Sequence, residues 1–273
     1  MKLGYTEFSF GYGFTENLLR WSAKKPAGCP VFPNLIQEAS LGYDVRIDLP
    51  AAPLFFQFKL PELMTTRRAK EIKVHKLSGL SCDFFRMPLM RRDKSDQHRL
   101  LIQLETQFPG RVFYATPVLP TLGRFNAEYN AGRIHQHTAF ISPQAIGPLP
   151  DDLSHHVSYK TTSSGWFCSE PRPLEIITWD ALLSDIESPQ KDRPQLELGE
   201  LMHRVQTSLR ELRGDSVRVD ERAVRNRVSA RRRLRDGAAL DPERQKIVDE
   251  LLVSQEMARI GLGVEMLIAQ PQT

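Results

Sequence analysis

The stretch that most restricts the fold runs from Leu41 to Lys59, LGYDVRIDLPAAPLFFQFK. Over residues 43 to 49 the side chains alternate, with Val45, Ile47 and Leu49 on one face and Asp44, Arg46 and Asp48 on the other. That is the period of a half-buried strand. Pro50-Ala51-Ala52-Pro53 is expected to stop it, because proline donates no hydrogen bond and restricts the residue before it. A second strand over 54 to 59 then carries Leu54, Phe56 and Phe58 on one side and Phe55, Gln57 and Lys59 on the other. A short return pairs such strands antiparallel, which places Asp44 beside Gln57 and Lys59.

A carboxylate oxygen and an amide oxygen are hard donors suited to Mg²⁺, and a lysine ammonium can orient or help deprotonate an attacking water and balance phosphate charge. The same three residue types also occur on ordinary sheet edges, so the residues alone leave both readings open. The order Asp44, then Gln57-Phe58-Lys59, resembles the signature of the PD-(D/E)XK nuclease superfamily in the Q-x-K form of Mrr-like restriction endonucleases. The resemblance covers at most residues 10 to 120. It implies that Asp44 and Gln57 hold the metal and that Lys59 assists catalysis. A glutamate of the first core helix often joins them; Glu38 is the best match, with Glu16 as its substitute. The implied fold is α/β, a restriction-endonuclease-like mixed central sheet flanked by helices. The implied activity is a Mg²⁺-dependent deoxyribonuclease, an endonuclease for which Mn²⁺ can substitute, acting on DNA in restriction or another anti-phage defence.

Aromatic residues are unevenly divided, and this suggests a boundary. All 14 Phe lie at or before Phe167 and all 6 Tyr at or before Tyr159, so beyond residue 170 only Trp179 is aromatic. We therefore expect a nuclease-like domain over 1–183, a polar, proline-bearing linker over 184–194, and a helical domain over 195–273. The formal charge of +4 is too mild to identify a partner. Cys29, Cys82 and Cys168 form neither a disulfide framework nor a metal-knuckle pattern, as expected in a reducing cytoplasm. The N-terminal MKLGYTEF lacks the apolar core of a signal peptide and no stretch reaches the length of a membrane span, so no membrane partner is expected.

Residues 4 to 13 read as an irregular strand before a helix over roughly 14 to 22, and LPELMTTRRAKEI, from Leu60 to Ile72, reads as a helix or helical turn. Arg67 and Arg68 follow the motif strand closely and are candidates for nucleic-acid phosphates, or for a solvated face. Ser95 to Phe108 is a clear helix, with Ser95 or Asp96 to cap it and Pro109-Gly110 to end it, and Arg111 to Thr116 reads as the next strand. Strands are also expected within 134–141 and 157–160. His135, His137, His155, His156 and Cys168 are zinc-ligand types, but without compact four-ligand spacing they read as ordinary polar residues.

The last eighty residues are helical in pattern. Leu198, Leu201, Met202, Val205, Leu209 and Leu212 form one apolar stripe. A second helix, from near Asp220, contains seven arginines and no acid between 222 and 235. Arg225, Arg231, Arg232 and Arg233 are candidates for nucleic-acid contact, with protein contact through these helices or a homo-oligomer as the other reading. A third helix runs from about Pro242 to Arg259, with Ile247, Val248, Leu251, Leu252 and Met257 as its expected buried set. Two rival functions stay open beside the nuclease: a non-catalytic nucleic-acid-binding sensor or targeting subunit, and an oligomerising structural component of a defence complex.

Overall fold

The structure is a computed structural model and describes residues 1–21, 50–187, 196–213, 220–233 and 242–270. In chain order the elements are α1 (Glu7–Trp21), β1 (Pro50–Phe58), β2 (Glu62–Met64), α2 (Lys70–Lys73), β3 (Phe84–Pro88), α3 (Gln97–Gln107) and β4 (Val112–Pro117). There follow α4 (Leu122–Asn130), a 3₁₀ turn at Ile134–His137, β5 (Thr138–Ile141), α5 (Pro143–Ile146), β6 (His156–Tyr159), β7 (Ser164–Phe167), β8 (Arg172–Glu175) and α6 (Trp179–Glu187). The chain ends with β9 (Leu196–Glu197), α7 (Leu198–Arg213), α8 (Glu221–Arg233), α9 (Pro242–Leu262) and β10 (Glu265–Ala269). The fold is mixed α/β, with a central mixed sheet built on β1, flanking helices and a C-terminal helical stretch. Contacts divide it into two units, Met1–Leu18 with Phe56–Asp185, and Leu19–Phe55 with Ile186–Thr273.

In the first unit, the strand period of β1 sends Phe56 and Phe58 to one face and Gln57 to the other. Phe14 of α1 meets Phe56 and Phe58 edge to face at 5.2 and 5.5 Å, and Phe56 stacks on Phe113 of β4 at 6.1 Å. Phe10, Phe14, Phe56, Phe113 and Phe140 are fully buried, each worth roughly 1.5–3 kcal/mol of transfer free energy. α3 lies on the other side of β4. There Tyr114 OH is 2.8 Å from His98 Nδ1, while His98 Nε2 donates to the Gly147 carbonyl at 2.8 Å. Burial lowers the pKa of His98, which suits the neutral tautomer these bonds require. A second sheet has the order β2-β3-β6-β7-β8, with every pair antiparallel.

Three expectations are corrected. Residues 7 to 13 are helix rather than strand, because α1 begins at Glu7. Its glycines permit close packing: a Cβ at Gly11 would sit 2.8 Å from the Phe58 ring, and one at Gly13 3.1 Å from Phe125. Two residues apart, these glycines lie on different sides of the helix, and each lets an aromatic neighbour approach the backbone closely. Pro50-Ala51-Ala52-Pro53 does not stop a strand but begins one, since β1 is continuous from Pro50 to Phe58 and Pro50 and Ala51 pair with Glu197 and Leu196 of β9. Proline's fixed φ is compatible with extended backbone, and a strand's first residue tolerates it. The expected return at 50–53 is therefore absent, and the first expected strand, 43–49, lies outside the described residues. Finally, the stretch 60–72 is strand β2, a turn and the short α2. Pairing of Leu63 with Phe85 buries an apolar side chain that a surface helix would leave half wet.

The expected helix at 95–108 and strand at 111–116 are present as α3 and β4, with the Ser95 hydroxyl accepting the Gln97 N–H at 3.1 Å. The described part of the expected linker, 184–187, is the last turn of α6.

In the second unit, α7, α8 and α9 pack together. The stripe from Leu198 to Leu212 is buried throughout, and from α9 it is Leu251, Val253, Met257, Ala258 and Leu262 that are buried. Ile247, Val248 and Leu252 are only half-buried, so the core face of α9 is rotated from the expected one. β10 follows α9 and is tied to it by Gln255 Nε2 donating to the Met266 carbonyl at 3.0 Å. Among the described residues, no helix is long and apolar enough to cross a membrane.

Candidate functional site

The face of β1 opposite Phe56 and Phe58 carries Gln57, and Lys59 follows with the same orientation as the Lys59 N–H bonds the Ala115 carbonyl of β4 at 3.0 Å. Both side chains are buried. Gln97, the first residue of α3, joins them: its Nε2 donates to Gln57 Oε1 at 2.7 Å and its Oε1 accepts from Lys59 Nζ at 3.4 Å. Gln57 Nε2 donates to the Phe58 carbonyl at 3.1 Å. Burial lowers the pKa of Lys59, and the carboxylate of Glu7 opposes that shift. Glu7 is fixed at the start of α1 by accepting the Leu60 N–H at 3.2 Å. The result is a partly dry ammonium, one carboxylate at a distance and two amides in series, able to hold an anion or aim a water.

Of the residues expected at this site, the structure brings Gln57 and Lys59 together. Asp44 and Glu38 lie outside the described residues. Glu16 is on α1 and accepts from Asn17 Nδ2 at 3.1 Å. Gln97 and Glu7 were missed, and only weak signals point to them: each is the polar first residue of a helix, which ordinarily means a solvated end. Arg67 and Arg68 are exposed in the turn after β2.

A second cluster forms on the second sheet, β2-β3-β6-β7-β8. The registers place Arg86 opposite Ser158 and Val157 opposite Phe167, so His156, Ser158 and Arg86 share a face, and Cys168 follows β7 beside His156, donating its N–H to the His156 carbonyl at 3.2 Å. Glu71 of α2 is buried above them. Its Oε1 accepts from Arg86 Nε at 2.8 Å, His156 Nε2 at 2.9 Å and Ser158 Oγ at 3.2 Å, and its Oε2 from Arg86 Nη2 at 2.7 Å. Burial alone would raise the Glu71 pKa, but hydrogen bonds from His156, its own backbone and Arg86 hold it at about 2. One potential ligand atom from each of Glu71, His156 and Cys168 lies within 4.8 Å of the others. Such a group can hold a divalent metal. The sequence reading gave His156 and Cys168 ordinary polar roles; counting the antiparallel register back from the 160–163 turn would have set them side by side, but nothing local marks Glu71, 85 residues from His156.

The remaining histidines have separate surroundings. His135 is fully buried with its ring 4.8 Å from Trp179, and burial pushes its pKa down to about 4 against the pull of Asp180. His137 Nε2 is 3.2 Å from Glu128, and His155 Nδ1 is 2.6 Å from Ser169 Oγ. In the helical unit Arg225 reaches Glu221 at 3.0 Å and Glu250 at 2.8 Å, and Arg210 reaches Glu221 at 2.8 Å. The arginine-rich helix is thus partly matched by its own neighbours. The side chains of Arg231, Arg232 and Arg233 lie outside what the structure describes.

The chain matches no protein-family profile, no curated protein and no solved structure. What stands is an α/β fold with, among the described residues, a Lys59–Gln97–Gln57 cluster and a Glu71–His156–Cys168 cluster able to hold a metal ion.

Proposed function

We propose that the chain is a metal-dependent nuclease of the PD-(D/E)XK type, an endonuclease that hydrolyses DNA phosphodiester bonds with Mg²⁺, or Mn²⁺ in its place, in restriction or another anti-phage defence. The observation that carries this reading is Lys59: a buried ammonium on the motif strand, two residues from Gln57 and joined to it through Gln97. A lysine is rarely buried without a task, and desolvation makes its neutral amine easier to reach. The carboxylates of Asp44 and of Glu38, with Glu16 as substitute, and the side-chain oxygen of Gln57 would hold the metal. Their hard oxygens fit Mg²⁺. When bound, the ion supplies Lewis-acid polarisation of the phosphate and a more acidic water. Lys59 orients the attacking water and offsets charge on the transferring phosphate, Gln97 fixes Lys59 and Gln57 against each other, and Arg67 and Arg68 meet the DNA backbone.

The test compares wild type with Lys59→Ala and Asp44→Ala on plasmid and linear DNA, in Mg²⁺, Mn²⁺ or chelator. Each substitution should slow cleavage by about 10²–10³-fold, the usual cost of one transition-state charge contact. Equal cleavage by all three proteins would overturn the assignment.

One observation favours a second reading, a non-catalytic nucleic-acid-binding subunit: Gln57 is neutral and its oxygen already accepts from Gln97. Under that reading DNA binding weakens steeply with salt while no metal yields cleavage.

A further inference from the structure

We infer that Glu71, His156 and Cys168 form a binding site for a thiophilic divalent cation of the zinc class, distinct from the oxygen-donor site proposed on β1. A carboxylate oxygen, an imidazole nitrogen and a thiol sulfur are the donor set zinc selects, whereas Mg²⁺ takes oxygen alone. The three ligand atoms lie within 4.8 Å of one another, and a tetrahedral zinc requires separations of about 3.3–3.8 Å, reached by small side-chain rotations. The hydrogen bonds also point to a cation. Glu71 Oε1 faces three donors, Arg86 Nε, His156 Nε2 and Ser158 Oγ, with only two lone pairs to serve them. An ion between Oε1 and Nε2 replaces the His156 donor with a nitrogen lone pair and leaves Arg86 and Ser158 in place. Arg86 cancels the charge of Glu71, so the thiolate of Cys168 is the main counter-charge and the site binds more weakly than a cysteine-rich one.

The elements joined explain what the ion would do. α2 has only four residues and no side-chain cap, and Glu71 is its one buried residue. A bond from Glu71 through a cation to β6 and the end of β7 clamps this short helix to the sheet. His156 is the most exposed of the three ligands, with 26% of its side chain accessible, and marks the side from which an ion enters.

The site does not depend on the nuclease reading, and its test uses no activity. The full chain, stripped with chelator, is titrated with Co²⁺ in excess Mg²⁺, which saturates oxygen sites and leaves a sulfur site free. The expected result is a sulfur-to-cobalt charge-transfer band in the near ultraviolet that saturates at roughly one equivalent per chain. Zn²⁺ should displace it, His156→Ala should weaken cobalt binding at least about tenfold, and Lys59→Ala and Cys82→Ser should leave it unchanged. No band in the wild type, or a band that survives Cys168→Ser, overturns the inference. If Cys168→Ser does not fold, X-ray absorption of the zinc-loaded wild type decides instead: one sulfur in the coordination shell supports the site, and a shell without sulfur refutes it.

Discussion

The Lys59 and Glu71 clusters of the first unit solve the same problem, charge inside a protein, by opposite means. Around Lys59 the cation is served by neutral amides, Gln97 directly and Gln57 through it, with the Glu7 carboxylate acting from further away. Around Glu71 the anion is bound on both oxygens by a guanidinium, with His156 and Ser158 added. The first arrangement leaves charge unspent and is suited to chemistry. The second consumes it and is suited to holding elements together. A buried carboxylate that loses its guanidinium is left as an uncompensated charge, whereas an amide that loses its partner amide is merely under-bonded.

The largest expected effect follows from that contrast. In chelator, Arg86→Ala should destabilise the chain by about 3 kcal/mol, because Glu71 stays buried while its strongest partner is gone. Denaturant unfolding monitored by Trp fluorescence measures it. A loss below about 0.5 kcal/mol, the value typical of a surface pair, would erase the distinction between the clusters.

His135 provides a contrast, a fully buried histidine whose ring lies 4.8 Å from that of Trp179 and on which the Asp180 carboxylate acts from further away. Its folded pKa is about 4, against an ordinary 6.5. Between these values the unfolded chain binds the proton and the folded chain does not, so this contribution is fully present above pH 6.5 and is lost as pH falls toward 4. Stability should drop by on the order of 2 kcal/mol across that window, and His135→Phe should flatten the curve. An unchanged slope in the variant would assign the pH dependence to other groups.

How much was legible in the sequence follows from the range of each signal. α3, β4, the stripe of α7 and the paired orientation of Gln57 and Lys59 come from periodicity within a dozen residues, and the structure has them. The failures needed distant partners. The glycines of residues 7 to 13 serve helix packing, lying close under Phe58, Phe125 and Tyr129, and Pro50 and Ala51 are strand paired with β9. The Glu71 cluster has no local signal, because its acid is 85 residues from His156 and Cys168 reaches His156 only through the β6–β7 register. Asp44 and Glu38 lie outside the described residues, so of the expected site only Gln57 and Lys59 are seen together, joined through Gln97.

A smaller effect tests whether the amide chain is organised for chemistry. Gln97→Ala removes the bridge between Gln57 and Lys59 without removing either. Under the nuclease reading kcat should fall about tenfold, equivalent to about 1.4 kcal/mol, with little change in KM for DNA or in salt dependence of binding. A rise in KM at constant kcat would instead make Gln97 a part of substrate binding.

The smallest effect comes from the helical unit, where the ion pairs are wet. Arg225 joins Glu221 of its own helix to Glu250 of α9, with Gln206 and Arg210 completing the group. Its side chain is 38% exposed, so solvent screens these contacts and Arg225→Ala should cost only about 0.5–1 kcal/mol at low salt. Hydrogen bonding by Arg210 is the main cause that holds the Glu221 carboxyl at about 2, and Arg225 likewise lowers Glu250. Both acids are depressed, so their stabilisation is present above the ordinary carboxylate range and disappears as pH falls through their folded values. The penalty of Arg225→Ala should therefore shrink with added salt and shrink again in acid, while that of Arg86→Ala holds steady against salt because its carboxylate is dry. Paired unfolding curves at low and high ionic strength read this directly. If salt weakened both penalties equally, burial would not be what separates the Glu71 cluster from the arginine-rich helix.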